Sequence, residues 1–267
     1  MNPVILRAEN ITKRFPGVTA LHQVSFDLRR GEIHALCGEN GAGKSTLIKL
    51  LSGVHGHGSY EGNLYVNDSL ARFQSTADAQ AADIAVIYQE LALVEEMTVA
   101  ENIFLGAEPV RSGFVNWPAL YREARLLLEQ FEVQIDPAAK ISKLGVGQRQ
   151  LVEIVKALSK KSKLLILDEP TAALTDHEAR ILIGILKRLR ERGIACIYIS
   201  HKLDEVFELA DRITVLRDGA TVATVESRLT TKQEIIPRWS DAKFKTSSRR
   251  GCRGAGRSYS RLKTSPC

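Results

Sequence analysis

No segment limits the fold of this chain more than Gly38-Glu39-Asn40-Gly41-Ala42-Gly43-Lys44-Ser45-Thr46. It follows an apolar run, Ile33–Cys37, and leads into a helical pattern, Ser45–Leu51. Glycines let a loop between a strand and a helix fold tightly, so that consecutive backbone N–H groups and the helix N-terminus point at one place. That place attracts phosphate. The spacing is G-x-x-x-x-G-K-[ST], in which Lys44 reaches the β- and γ-phosphate oxygens and the Ser45 hydroxyl ligates Mg²⁺. A glycine-rich turn with a chance Lys-Ser pair would not need strand and helix flanks.

The surrounding pattern agrees. Short β-branched runs alternate with longer helical stretches to about residue 225, as in a parallel sheet covered by helices. The expected strands are Val4–Leu6, Val24–Leu28, Ile33–Cys37, Leu64–Val66, Ile84–Ile87, Leu164–Leu167, Ala195–Ile199, Ile213–Leu216 and Thr221–Thr224. Leu164–Leu167 and Ala195–Ile199 are apolar at nearly every position, which places them at the centre of the sheet, buried on both faces. Residues 90–160 read as a helical insertion. Within it, Trp117–Phe131 gathers Leu120, Ala124, Leu127, Leu128 and Phe131 on one face. His177–Arg192 reads as a further amphipathic helix with Ile181, Ile185, Leu186 and Leu189 inward.

Charge is uneven. The formal +6 divides into −2 for residues 1–236 and +8 for residues 237–267, where nine basic residues face one acidic residue. A nearly neutral body argues against a nucleic-acid-binding face. No apolar run reaches the ~18 residues that span a bilayer. The start lacks a basic segment followed by an apolar one, so the expected setting is soluble and cytoplasmic. Cysteines 37, 196, 252 and 267 have no metal-ligand spacing, and the first two read as buried free thiols.

Lys163-Leu164-Leu165-Ile166-Leu167-Asp168-Glu169-Pro170 places two carboxylates at the end of a buried strand. Asp168 suits a Mg²⁺ ligand, as the Walker B aspartate is, and Glu169 suits a general base that polarises water. An acidic pair can also simply cap a strand; on the same sheet as a phosphate loop, the catalytic reading is favoured. Gln89, after Ile84–Tyr88, can reach Mg²⁺ or the nucleophilic water. His201, after Ala195–Ser200, can contact the γ-phosphate. Taken singly, each is as readily a surface or structural residue.

Together these residues resemble the nucleotide-binding domain of ATP-binding cassette (ABC) transporters over about residues 4–236. Leu144-Gly145-Val146-Gly147-Gln148 is similar to that family's signature motif, and Ala173-Leu174-Thr175-Asp176 to its D-loop. The resemblance implies an α/β fold. Its P-loop NTPase core would be a mainly parallel sheet, with an N-terminal antiparallel β part and an inserted helical subdomain carrying the signature. It implies ATP held between Lys44 of one domain and the signature of a second, either a homodimer copy or a fused or partner cassette. It also implies Phe15, ahead of the phosphate loop, as the aromatic shelf for adenine, in an exposed loop with Lys13, Arg14 and Pro16. Gly145 stands where the common signature has Ser, which removes one charge-assisted hydrogen bond worth roughly 1.5–3 kcal/mol.

The wording of Lys13–Val18, Gly38–Leu47, Tyr88–Leu91 and Gly193–Leu203 resembles ATP-binding subunits of bacterial monosaccharide importers, with xylose importers most similar. Such subunits work at the cytoplasmic face of the inner membrane with permease subunits and, indirectly, a periplasmic sugar-binding protein. No nucleic-acid partner is expected. The other readings are a truncated cassette that binds ATP without supporting transport, and a soluble ABC ATPase outside transport. That branch typically carries two fused cassettes. Residues 237–267 read as a basic, disordered tail. One deleted base in codons for RQMVGRKIQDLFP, a family-like continuation, yields Pro237 through the start of Arg249, so a frameshift at Pro237 is the expected origin of the tail.

Overall fold

The computed structural model describes residues 3–88, 91–160 and 162–239. Gln89 and most of the tail, residues 240–267, lie outside them. In chain order the elements begin with β1 (Val4–Phe15), β2 (Val18–Arg29), β3 (Ile33–Cys37), α1 (Lys44–Leu51), β4 (Glu61–Val66), β5 (Ser69–Ala71), α2 (Thr76–Ala81) and β6 (Ile84–Ile87). The insertion follows: α3 (Val99–Ile103), β7 (Val110–Arg111), β8 (Phe114–Val115), α4 (Trp117–Gln130) and α5 (Val146–Ser159). The chain then runs through β9 (Leu164–Asp168), α6 (Asp176–Glu191), β10 (Ala195–Ile199), α7 (Leu203–Leu209), β11 (Arg212–Arg217), β12 (Ala220–Glu226) and α8 (Lys232–Trp239).

The central sheet has the order β12-β11-β3-β10-β9-β6, parallel throughout except for the β11–β12 hairpin. β10 and β9 sit inside it because their side chains feed both faces. Leu165, Leu167, Cys196 and Tyr198 enter one core cluster with α4, α5 and α6, while Leu164, Ile166, Ile197 and Ile199 enter the other with β1, β2 and α1. A parallel strand with both faces covered can be apolar at every position. Ala35 and Cys37 of β3 pack instead with β11, α7 and Ile235 of α8. Cys37 and Cys196 are free and buried, and burial pushes both thiols up to about 12.

The N-terminal antiparallel part has the order β2-β1-β4-β5. β1 and β2 run well beyond the apolar cores read from the sequence. Register shifts after Ala8 and Ile11 break the alternation, so hydrophobic periodicity marks only part of each strand. Phe15 is therefore not in a loop: it ends β1 and pairs with Val18 across a two-residue turn, Pro16-Gly17, with Gly17 at φ 79°. It is nonetheless 36% exposed. In α6 the inward residues include Leu182 and Ile183 as well as Ile185, Leu186 and Leu189, whereas Ile181 is only partly buried. The 236/237 boundary falls inside α8, where Pro237 occupies the last turn and Ile235 is fully buried.

Candidate nucleotide site

The strand order reverses at β3: β10 lies on one side and β11 on the other. Loops leaving the C-terminal ends of neighbouring strands diverge there and open a crevice, the usual ligand position in such sheets. The loop after β3 is the glycine-rich one. A methyl group built on Gly38 would lie 2.3 Å from the Leu216 carbonyl oxygen, and one on Gly43 2.7 Å from the Ala20 carbonyl oxygen. Gly43 caps α1 in the left-handed region at φ 100°. Glycine at these two positions lets the loop lie against neighbouring backbone.

Within the crevice, Asn40, Gly41, Gly43, Lys44, Ser45, Thr46, Asp168 and Glu169 line one cavity of about 380 Å³. An adjoining hollow of about 560 Å³ is bounded by Gly38, Glu39, Asn40, Glu169 and His201. Ala42 is buried beneath the loop. Lys44 Nζ donates to the carbonyls of Gly38 at 2.7 Å and Glu39 at 2.9 Å, which holds the ammonium beside the loop. Burial pulls the Lys44 pKa down, opposed by the charges of Glu169 and Asp168. Burial pushes Asp168 up, reinforced by Glu169 and opposed by Lys44. Both groups are thus held in a partly dry site where charge interactions are strengthened.

Glu169 is the first residue beyond β9 and adopts φ 48°, a rare conformation for a side-chain-bearing residue. Its N–H donates to Ile199 O at 3.0 Å, tying it to the end of β10. His201 follows that strand, and its Nδ1 lies 3.4 Å from Glu169 Oε2. The sheet therefore brings Lys44, Ser45, Asp168, Glu169 and His201 to one edge.

The donor set suits Mg²⁺. Ser45 and Asp168 both offer hard oxygen atoms to one cavity, and Mg²⁺ takes one or two protein oxygens with the rest of its shell from substrate phosphates and water. Among the described residues no cluster of three His, Cys, Asp or Glu side chains forms a metal cage.

Two predicted parts are not among the residues lining these two cavities. Phe15 meets the His55 ring edge-on at 5.5 Å, and Lys13 Nζ stands 5.0 Å from its centroid. The Leu144–Gln148 segment opens α5: Leu144 packs on the core, Gly145 is the cap residue, and Val146 is 56% exposed. Gln148 Oε1 accepts the Gly145 N–H at 3.2 Å. The site of a side chain at Gly145 is open space, whereas a Cβ on Gly147 would fall 2.0 Å from the Glu178 carboxyl carbon. Glu178 in turn accepts from Thr175 N and Oγ1 at the start of α6, so the D-loop helix packs its cap against the signature segment. Sequence reading singled out neither Glu178 nor Thr171 and Glu205, which bind one another nearby. Acidic residues in a helix's first turn ordinarily answer the helix dipole, so their spacing carries no separate signal.

Fold and site together define an α/β phosphate-loop domain with its carboxylates at the neighbouring strand ends. The chain belongs to the ABC transporter family, whose model matches residues 21–172. It is 56% identical over 236 residues to a xylose import ATP-binding protein of Geobacillus kaustophilus, covering 88% of this chain and 47% of that protein. It is 47% identical over 228 residues to an L-arabinose transport ATP-binding protein of Geobacillus stearothermophilus, covering 85% and 44%. The chain thus spans about half the length of these curated relatives. Among solved structures, a nucleotide-free ATP-binding cassette from an ABC transporter superposes with a TM-score of 0.75 at 29% identity, over 90% of this chain and 97% of the other.

If Phe15 is the adenine shelf, Phe15→Ala should weaken ATP binding by about 1–3 kcal/mol, roughly 5- to 150-fold in Kd. Titration of the folded variant with ATP and with inorganic triphosphate checks this, since only ATP has a base to lose.

Proposed function

We propose that this chain is an ATP-binding and ATP-hydrolysing cassette that energises bacterial import of a monosaccharide, with xylose the favoured sugar. The observation that carries the reading is the convergence of Lys44, Ser45, Asp168, Glu169 and His201 at one sheet edge, on a chain of the ABC transporter family. Lys44 and the loop N–H groups bind the β- and γ-phosphates. Ser45 and Asp168 hold Mg²⁺, which when bound neutralises phosphate charge; Gln89 is proposed to join them. Glu169 accepts a proton from the attacking water, and His201 orients the γ-phosphate end. The Leu144–Gln148 segment closes the site of a second cassette, a role that suits the exposure of Gly145 and Val146 here.

The permease contact is assigned to the groove between the free edge of β6 and α5, where Gln80, Tyr88, Ala92, Glu153, Lys156 and Lys160 enclose about 270 Å³. No helix of the described residues is long and apolar enough to cross a membrane, and on this reading the chain works at the cytoplasmic face of the inner membrane through that contact. The sugar is inferred from relatives named for xylose and arabinose transport; no part of the cassette is proposed to touch it.

The test is ATP hydrolysis by the full chain across a range of protein concentrations, alone and with xylose-type permease subunits in vesicles. Turnover per chain should rise with concentration as sites pair, and should rise again with permease, binding protein and xylose. Activity that is absent, or equally stimulated by RNA, would overturn the reading.

A further inference from the structure

Glu205, in the first turn of α7, makes several polar contacts to the segments around the site. Its Oε2 accepts from Thr171 Oγ1 at 2.6 Å, Tyr198 OH at 2.7 Å and Ser200 Oγ at 3.3 Å. Its Oε1 lies 3.2 Å from Lys202 Nζ. Thr171, Tyr198 and Ser200 are each 3% exposed or less. Lys202 closes the ring, donating from Nζ to Thr171 O at 3.1 Å and from its backbone N–H to Ser200 Oγ at 3.0 Å.

Apart from Tyr198, which is on β10, the partners fall on two loops. Thr171 comes two residues after Glu169, while Ser200 and Lys202 flank His201 on either side. The sheet itself pairs these segments only as far as Ile199 with Asp168. Beyond that point the backbones are joined by the Glu169 N–H to Ile199, and then by the Glu205 ring. An ionised carboxylate is an acceptor only, which suits a position facing three hydroxyls and an ammonium. Burial pushes the Glu205 carboxyl up, but those donors outweigh it and hold it below the ordinary range.

We infer that Glu205 is a positioning residue, whose carboxylate clasps the loop after β9 to the loop after β10 and thereby sets the His201–Glu169 approach. This rests on the reading of Glu169 and His201 as the hydrolytic pair. Misplacing such a pair by an ångström costs on the order of a hundredfold in rate without a matching loss of binding.

The experiment compares the full wild-type chain with Glu205→Ala and Glu205→Gln by amide hydrogen exchange, thermal melting and steady-state ATPase kinetics. In Glu205→Ala, peptides covering 169–175 and 199–204 should exchange about tenfold faster or more, those of β3 and α4 should not change, and melting should stay cooperative. The kcat should fall about tenfold to a hundredfold with KM within about threefold. Glu205→Gln keeps one acceptor oxygen and should recover part of both effects. Unchanged exchange, or faster exchange spread over the whole chain with a lowered melting point, overturns the clasp. Local loosening with unchanged kcat overturns its role in positioning. Local loosening in a chain whose wild type turns over no ATP supports the clasp and places the failure in the catalytic reading of Glu169 and His201.

Discussion

Glu169→Gln is expected to cut ATP turnover by at least about a hundredfold while leaving ATP binding in place. Gln matches Glu in shape, so the φ 48° backbone and the N–H to Ile199 are unaffected. What changes is the ability to take a proton from water. On the proposed reading binding rests on Lys44 and the loop N–H groups, and the substitution leaves the Lys44 hydrogen bonds to Gly38 and Glu39 in place. With hydrolysis blocked, two chains should stay joined around ATP, and light scattering should report a dimer that forms with ATP and not with ADP. Turnover within threefold of the wild type would remove Glu169 from the role of base.

The largest effect on stability is expected at the opposite end of the sheet. Arg212 Nε lies 2.5 Å from Glu32 Oε1, and a terminal guanidinium nitrogen 2.6 Å from Asp27 Oδ2. Glu32 is 5% exposed and also accepts the Arg29 N–H at 2.6 Å. Arg212→Met keeps the apolar stem but leaves a buried carboxylate without its counter-charge, a loss of about 3–5 kcal/mol. For a domain of this size that lowers Tm by about 6–20 °C.

The sign of the pH dependence follows from Asp27. Burial pushes its carboxyl up, but the Arg212 hydrogen bond and charge outweigh this, and its pKa is lowered from 3.8. A depressed carboxyl stabilises the fold above its unfolded value and loses that contribution as pH falls through the folded one. The Tm gap between wild type and Arg212→Met should therefore be steady near neutrality and narrow below about pH 4. Equal melting of the two proteins at pH 7 would show the cluster to be dispensable. His34, in the same cluster, is neutral near pH 7. Burial and the Arg212 charge push it down to about 3. Its Nδ1 faces the Asp27 carbonyl, an acceptor, so Nδ1 carries the proton and Nε2 accepts from Thr214.

Local chemistry with a fixed spacing was readable in advance. The glycine loop, the doubly buried runs of β9 and β10, and the carboxylate pair at a strand end are short-range patterns, and each stands where its pattern requires. Lost from view were features whose partners are far apart in sequence. β1 and β2 were half seen because their bulges interrupt the period of two. The β7–β8 hairpin, of two-residue strands around Ser112-Gly113, has too little apolar sequence to register. Arg212 reads as one more surface cation until Glu32 and Asp27 are beside it, and Glu205 as an ordinary helix-start acid until Thr171 and Ser200 meet it. The fold class is written in periodicity; the ion and hydroxyl clusters that hold the loops are written only in the tertiary structure.

The central place of β3 also bears on how the protein is made. The strand that launches the phosphate loop has no neighbour close behind it in the chain; its flanks are β10 and β11, and Ile33 bonds Asp211 across 178 residues. Such non-local pairings are slow to form, and synthesis proceeds at about 5–20 residues per second. A ribosome therefore needs roughly ten seconds or more after β3 to deliver β11. Until then the glycine loop has no Leu216 carbonyl to rest against, and β3 lacks its β11 partner. The cassette is thus a fold whose central sheet closes only after β10 and β11 have been made, and the segment left waiting for them is the one that launches the glycine loop.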